Sequence, residues 1–208
     1  RSACPAMASI DVERIPELEK AVEAHCKAGT HDIDGSLALL KLYQFFPDKL
    51  KADIVAKVLL MALMRLPAND FLLCTYLVQE RVAAESPVST IMELSDLLER
   101  CSFPAFWRLL GEHRDLVAGV TGFDDSIVEY ALSVIRISYQ VIDVKLFSAM
   151  VNSAEVDKWV PKVGRRDGDT VVVELSDDNQ AVVKERDDVN AVRLDQLSKA
   201  IRSMAHAM

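Results

Sequence analysis

Cysteine is scarce in this sequence of 208 residues, and its copies lie far apart. They show neither the dense, regular spacing of a disulfide framework nor the paired C-x-x-C spacing of a zinc site. Such usage is typical of a reducing compartment, so we expect a cytoplasmic protein. The cysteines are Cys4, Cys26, Cys74 and Cys101.

Long hydrophobic runs are also lacking. The longest, Val58 to Met64, has seven residues, whereas a membrane-spanning helix needs roughly 20. The stretch from Arg1 to Ile10 has no apolar core of the kind that a secretory signal carries. We therefore expect no contact with a membrane. Because the sequence does not begin with Met, we expect that further residues precede Arg1.

An excess of basic residues is missing as well. The chain has 24 Lys and Arg against 32 Asp and Glu, a net charge of −8. A protein that grips phosphate backbones through a strongly basic surface is therefore not indicated. Half of the residues are hydrophobic, which supplies ample material for a packed core.

Recognised catalytic motifs do not occur. There is no P-loop, no G-x-G-x-x-G and no known nucleophile motif. His25, Cys26 and His31 lack metal-ligand spacing, since adjacent helical residues point about 100° apart. Asp124 and Asp125 precede a predicted helix, where carboxylates act as caps. We therefore predict that the protein is not an enzyme and has no catalytic residue, no metal and no cofactor.

Apolar segments of helical length fill the chain from Ile10 to Leu116. Short breaks with Gly, Pro, Asp or Ser separate them, and these residues mark helix starts and stops. We predict six or seven helices in a helical-repeat (HEAT-like) domain over residues 1–120, with a compact bundle as the alternative. The expected limits are Asp11 to Lys27 before Gly29, Asp34 to before Pro47, Asp48 to before Pro67, and starts at Asp70, at Ser86 with Pro87, and at Ser102.

The third predicted helix is apolar nearly all round, which indicates burial between neighbours. Ile54 and Val58 lie on one of its faces, and Val55 and Leu59 on another. Three aromatic side chains further on have helical spacing, so we expect them in the core rather than on a ligand platform. They are Phe103, Phe106 and Trp107.

The pattern changes after Gly119 to Gly122, where we place a domain boundary. Beyond it, the order helix, strand, helix, helix and hairpin predicts a winged helix over residues 123–187, followed by a C-terminal helix over residues 188–208. The fold class is thus mostly α with a small β-hairpin. The expected elements are a helix from Asp125 to Tyr139, an extended piece from Gln140 to Ile142, helices from Asp143 to Met150 and from Ser153, and hairpin strands Thr170 to Leu175 and Ala181 to Glu185.

A winged helix often reads DNA with the second helix of its helix-turn-helix, so its charges are informative. The presumptive recognition helix and its exit, Val151 to Arg166, have a net charge of +2. The stretch from Asp167 to Asp195, which contains the wing, has a net charge of −6 and would repel phosphate. Pro161 also interrupts the helix. These features argue against groove insertion and leave room for a local contact by Arg165 and Arg166.

Several runs resemble one family in order and spacing. They are Leu39 to Phe45; Asp96 to Glu99 with Cys101, Phe103, Phe106 and Trp107; Gly119 to Asp124; and Ser138 to Gln140 with Ile142 and Asp143. On these residues the chain is similar to the family of subunit k of eukaryotic translation initiation factor 3, over about Ile33 to Trp159. The similarity weakens before Ile10 and beyond Gly164. The small PCI subunits of the proteasome lid and the signalosome are the nearest confusable relatives.

The resemblance implies a PCI-type architecture and a non-catalytic scaffold role in translation initiation, with protein–protein contacts inside the initiation factor. It implies partners among the other subunits, especially the larger PCI subunit l, and contact with the small ribosomal subunit through the complex. An independent winged-helix nucleic-acid binder is the alternative from a different functional class.

Two segments are candidates for the partner interface. The wing strand with Val171, Val172 and Val173 is expected to offer a sheet edge to a neighbouring subunit, unless its acidic residues keep that edge solvated. The C-terminal helix has an apolar seam with heptad spacing, which predicts docking into a helical bundle, or else packing on the chain's own winged helix. The seam residues are Leu194, Leu197, Ile201, Met204 and Met208.

Overall fold

A computed structural model describes residues 12–153, 155–176 and 179. Over these residues the fold is mostly α, as predicted, with a small antiparallel sheet in the second part. The helices of the first part are α1 (Ile15–Ala28), α2 (Ile33–Phe45), α3 (Ala52–Leu63), α4 (Asp70–Thr75), α5 (Glu80–Ala83), α6 (Val88–Glu99) and α7 (Phe103–Glu112). The second part has α8 (Phe123–Ser138), β1 (Val141–Asp143), α9 (Val144–Val151), α10 (Val156–Trp159), β2 (Gly164–Asp167) and β3 (Thr170–Val173).

The helix ends follow the predicted signals in most places. Gly29 ends α1 in the left-handed conformation, with φ of 65°, which glycine adopts without steric cost. The cap of α2 is Asp32 rather than the expected Asp34, since the Asp32 side chain accepts a hydrogen bond from the Gly35 amide at 3.2 Å. At Asp48 the chain forms a 3-10 turn, and α3 begins four residues later at Ala52.

The third helix, α3, is the centre of the first part. Nine of its 12 residues are buried, which confirms the prediction from its all-round apolar pattern. It packs against α1, α4 and α6, while α6 packs in turn against α7. The short helix α5 was not predicted, because four residues are too few to show a helical period.

The sheet differs from the predicted hairpin. Its strand order is β1-β3-β2, and β3 pairs with β2 through the tight turn at Gly168. Of the two expected hairpin strands, the first coincides with β3, and the second, Ala181 to Glu185, lies outside the described residues. The prediction missed β2, since Gly164, Arg165 and Arg166 are not residues that favour strands.

The two parts of the chain share a continuous apolar core. The indole Nε1 of Trp107 donates a buried hydrogen bond of 2.8 Å to the Met150 carbonyl, and so joins α7 to the end of α9. Phe103 packs against Tyr130 of α8 with ring centroids 5.9 Å apart. Phe103, Phe106 and Trp107 are all buried, which confirms their prediction as core. The division at residues 1–120, 123–187 and 188–208 stays a prediction.

Candidate interaction surfaces

The wing strand β3 has no free side. Its register with β1 and β2 pairs both of its sides, so its backbone groups are already used inside the sheet. Val171 and Val173 are buried and Val172 is half-buried. The expectation that this strand supplies an open edge is therefore wrong for β3. The sequence pattern showed a strand but not its place in the sheet order.

Among the described residues, the strand β1 is one edge of the sheet. The Val173 amide donates to the Gln140 carbonyl at 2.9 Å, and the Val144 amide donates to the Asp169 carbonyl at 2.9 Å. Ile142 pairs with Val171, so every second residue of this segment bonds to β3. The backbone groups of Val141 and Asp143, which lie between the bonded residues, therefore point away from β3. No strand among the described residues covers that side.

Apolar side chains are exposed on β1 and on the elements next to it in the chain, together with the exposed carboxylate of Asp143. The Val141 side chain is 55% exposed, and further exposed apolar residues occur on the elements that flank β1. They are Ile137 at the end of α8, Leu146 on α9 and Leu175 after β3. An uncovered edge strand with apolar side chains readily pairs with another chain. The β1 edge is therefore the backbone site that strand addition requires.

The opposite edge, β2, is charged. Arg166 donates to the Asp157 carboxylate at 3.0 Å, and Lys162 pairs with Glu129. Charged residues on an edge strand discourage pairing with another strand. The β1 edge is thus better suited than the β2 edge to pair with a strand of a partner.

The second helix of the predicted helix-turn-helix, which reads DNA in many winged helices, is short here. α10 spans four residues and continues into a 3-10 turn at Val160–Lys162. Lys158 and Lys162 lie 4.9 and 5.0 Å from the Trp159 ring centroid, so both ammonium groups make local cation–π contacts. Lys162 and Arg166 are also paired with carboxylates, whereas the exposed Arg165 makes no ion pair among the described residues. That this helix does not enter a nucleic-acid groove stays a prediction from charge.

The residues considered for chemistry have structural contacts. His25 Nδ1 lies 2.8 Å from Thr30 Oγ1, and Cys26 is buried. Asp124 accepts two hydrogen bonds from Arg114, at 2.9 and 2.7 Å. Neither Asp124 nor Asp125 is the cap of α8, which is Gly122. In the part of the chain that the structure describes, no cluster of His, Cys, Asp or Glu could hold a metal ion, and no helix could span a membrane.

The first part carries exposed apolar side chains that the sequence analysis did not identify. They lie at the end of α2, on α4 and on the residue that follows α4, and helical periodicity predicts only the buried face of such helices. Three of them lie within residues 72–76, and this clustering marks a candidate contact area. The residues are Phe45 (61% exposed), Leu72 (48%), Leu73 (46%) and Tyr76 (74%). The C-terminal seam with Leu194, Leu197, Ile201 and Met204 lies outside the described residues.

Comparisons with known proteins give a consistent result. A model of the CSN8/PSMD8/EIF3K family matches residues 49–184. The human protein "Eukaryotic translation initiation factor 3 subunit K" is 39% identical over 155 residues, which are 73% of this chain and 71% of the human one. The mouse protein of the same name is 34% identical over 194 residues, covering 92% and 88%. The Bombyx mori protein of that name is 34% identical over 185 residues, covering 87% and 84%.

Proposed function

The chain belongs to the CSN8/PSMD8/EIF3K family, and from this premise we propose that it is a non-catalytic scaffold subunit of eukaryotic translation initiation factor 3. It acts in translation initiation through protein–protein contacts. The observation that carries the proposal is that relatives named subunit K match most of the chain at 34–39% identity. The mostly helical fold with a small sheet agrees with it.

Three finer statements belong to the same proposal. The neighbours in the complex include the larger PCI subunit l, the small ribosomal subunit is reached through the complex, and the site of action is the cytoplasm. The chain is divided into three parts. They are a helical-repeat domain over residues 1–120, a winged helix over 123–187 and an assembly helix over 188–208. Two observations support this division. The sequence pattern changes at Gly119 to Gly122, and the described elements before it are helices whereas those after it include strands.

The first test identifies the assembly. The full chain, tagged and expressed in eukaryotic cells, is purified by affinity and its partners are identified by mass spectrometry. We expect the other subunits of initiation factor 3, with subunit l among the most abundant. Recovery of proteasome-lid or signalosome subunits in their place would contradict the proposal. Those complexes are the informative alternatives because they also contain small PCI subunits.

The second test concerns the β1 edge. Val141→Pro removes an amide donor that points away from β3, so the internal ladder keeps its hydrogen bonds. We expect about fivefold weaker association with the neighbouring subunit, the effect of losing one hydrogen bond. Arg166→Pro makes the matching change at the charged β2 edge and should leave association unchanged. If the proline variant does not fold, Val141→Lys tests the same edge. It keeps the backbone amide but adds a charge that discourages pairing with another strand, so association should again weaken.

The third test concerns the C-terminal seam. Leu197 and Ile201 are changed together to Asp, which places charge on the predicted helix seam. We propose that this abolishes incorporation into the complex while the melting temperature of the isolated chain stays nearly the same. If the isolated chain loses several kcal/mol, as burial of two aliphatic side chains in its own core would produce, the seam packs on the chain itself.

The alternative function, a winged-helix nucleic-acid binder, makes a different prediction. Phosphate contacts release counterions, so such a protein binds RNA or DNA with an affinity that falls steeply with salt. We expect no salt-dependent binding by the isolated chain, because the cations around α10 are engaged locally. Tight binding at low salt that Arg165→Ala weakens would favour the alternative.

A further inference from the structure

The pairing register of the sheet defines which side chains of β1 a partner strand would meet. Ile142 and its partner Val171 are buried, so this side of the sheet faces the core. Val141 and Asp143 project from the opposite side, because successive side chains of a strand alternate between its faces. Both residues are exposed. A strand added at the β1 edge therefore lies beside an apolar and an acidic side chain that are two residues apart.

Each of these two side chains begins a row that runs across the outer side of the sheet. Next to β1 the first row is apolar, since Val141 pairs with the half-buried Val172. The second row begins with a carboxylate. A fourth strand at β1 would extend both rows by one side chain. The first row contains Val141, Val172 and Arg165, and the second contains Asp143, Thr170 and Asp167.

The carboxylate of Asp143 is available to a partner. One of its oxygens accepts a hydrogen bond from the Lys145 amide at 2.6 Å and so caps α9. The group makes no ion pair among the described residues. A charge on an edge strand is stabilised by an opposite charge directly across from it and destabilised by a like charge. The position opposite Asp143 is therefore suited to lysine or arginine.

A second copy of this chain does not fit the β1 edge. Antiparallel pairing of two β1 strands about Ile142 would put Val141 of one copy opposite Asp143 of the other. Parallel pairing in register would put the two Asp143 carboxylates side by side, which is destabilising. Neither arrangement supplies a cation, so the strand that fits has a different sequence.

We propose that the β1 edge binds a strand of a neighbouring subunit with an apolar residue opposite Val141 and, two residues away, a lysine or arginine opposite Asp143. The inference rests on the proposed scaffold function and names the chemistry of its partner strand. The two side-chain pairs add to the backbone hydrogen bonds of Val141 and Asp143. They also fix the register, because a slip by one residue would turn the cation toward the core side, beside Ile142.

Asp143→Asn tests the cation, because asparagine caps a helix as well as aspartate does but carries no charge. The binding probe is initiation factor 3 assembled in cells that lack this subunit and immobilised through another of its subunits. We expect the full chain with this change to bind about threefold more weakly at about 0.1 M salt, in the range of one cross-strand ion pair. The difference should shrink at about 1 M salt, where the Debye length is only about 3 Å.

Asp167→Asn is the matched control. It removes a carboxylate from the same row at the β2 edge, three strand spacings or about 14 Å from the partner position. This exceeds the Debye length of about 10 Å at 0.1 M salt, so the affinity should not change. Val141→Thr, which keeps the amide and the branched shape, tests the apolar position and should weaken binding about threefold.

The same assay distinguishes the other occupants of the edge. Val182 and Lys184 of this chain have the required spacing and lie outside the described residues. Tighter binding of Lys184→Ala to the probe would show that the chain fills its own edge and would overturn the proposal. So would an unchanged affinity of Asp143→Asn while Val141→Pro weakens association. If Val141→Pro has no effect either, the edge contact of the proposed function itself is refuted.

Discussion

Glu19 is a carboxylate that the helices of the first part bury, with 9% of the residue exposed. It accepts hydrogen bonds from the Tyr43 hydroxyl at 2.8 Å and from the Lys51 ammonium at 2.5 Å, and so connects α1, α2 and the start of α3. Burial raises the pKa of Glu19. The hydrogen bonds and charge of Lys51 and Tyr43 together lower the pKa by more than burial raises it, so the pKa lies below its ordinary value. A buried charge without these partners would be strongly destabilising.

We predict a pH-dependent cost for Glu19→Gln. Because the folded-state pKa is depressed, ionised Glu19 contributes its full stabilisation above the unfolded-state pKa of about 4.3, and this is lost as the pH falls through the folded-state pKa. Near pH 7 the variant should lose about 1–3 kcal/mol of unfolding free energy in urea titrations. The difference from wild type should shrink at pH below about 4.3.

The control for this prediction is Glu23→Gln, one turn further along α1. Glu23 is 51% exposed and lies 3.6 Å from Lys57, so its pair is screened by solvent. A change within about 0.5 kcal/mol is expected there. A cost for Glu19→Gln that stays constant as the pH falls would contradict the role of the Glu19 charge.

At the scale of elements, Gly164 decides whether β2 pairs with β3. A Cβ atom at this position would lie 2.0 Å from the Val172 carbonyl oxygen and 3.0 Å from its carbon. These are backbone atoms of the neighbouring strand, so no side-chain rotation relieves the overlap. The strand pair can form at this register only because residue 164 has no side chain.

Gly164→Ala is therefore expected to lower the free energy of unfolding by about 1–3 kcal/mol, in the range of overpacking. Amide hydrogen exchange should accelerate in β2 and β3, whereas the first part of the chain keeps its protection. Gly119→Ala is the matched control, since a Cβ there meets nothing within 4 Å; stability should be unchanged or rise by up to about 1 kcal/mol. Equal stability of both variants would show that β2 shifts without cost.

At the scale of the whole molecule, α7 joins the two parts. Trp107 reaches the Met150 carbonyl, Phe103 contacts Tyr130, and the Thr121 amide donates to the Cys26 carbonyl at 3.0 Å. The first two contacts lie between elements on either side of the predicted boundary, and the third joins the boundary segment to α1. Because both parts contribute to one apolar core, they should unfold in a single transition rather than one after the other.

Two variants test this coupling, since the chain has two tryptophans. In Trp159→Phe, fluorescence reports on Trp107 at the junction, and its urea midpoint should coincide with that of far-UV circular dichroism. Trp107→Phe leaves the buried Met150 carbonyl without its donor and should cost about 1–3 kcal/mol, while Trp159→Phe, at a half-buried site, should cost less. Separate midpoints in the Trp159→Phe protein would show that the parts unfold independently.

Several predictions from sequence were confirmed for local reasons. The end of α1 at Gly29 and the burial of α3 follow from backbone conformation and from apolar periodicity, which a short stretch of chain already contains. The cap of α2 was misplaced by two residues, from Asp32 to Asp34, because both residues have the right side chain and only the hydrogen bond distinguishes them. That α10, which has four residues, does not enter a nucleic-acid groove stays a prediction from charge.

The sequence by itself determined the mostly helical class, the aromatic core at Phe103, Phe106 and Trp107, and the family, because periodicity and short motifs are properties of neighbouring residues. Only the tertiary structure decided that β3 is central and that β1 lies at an edge of the described sheet, since strand order depends on contacts between residues far apart in the chain. The same holds for His31: its neighbours in sequence are exposed or half-buried, while its ring nitrogens are buried without a hydrogen-bond partner among the described residues.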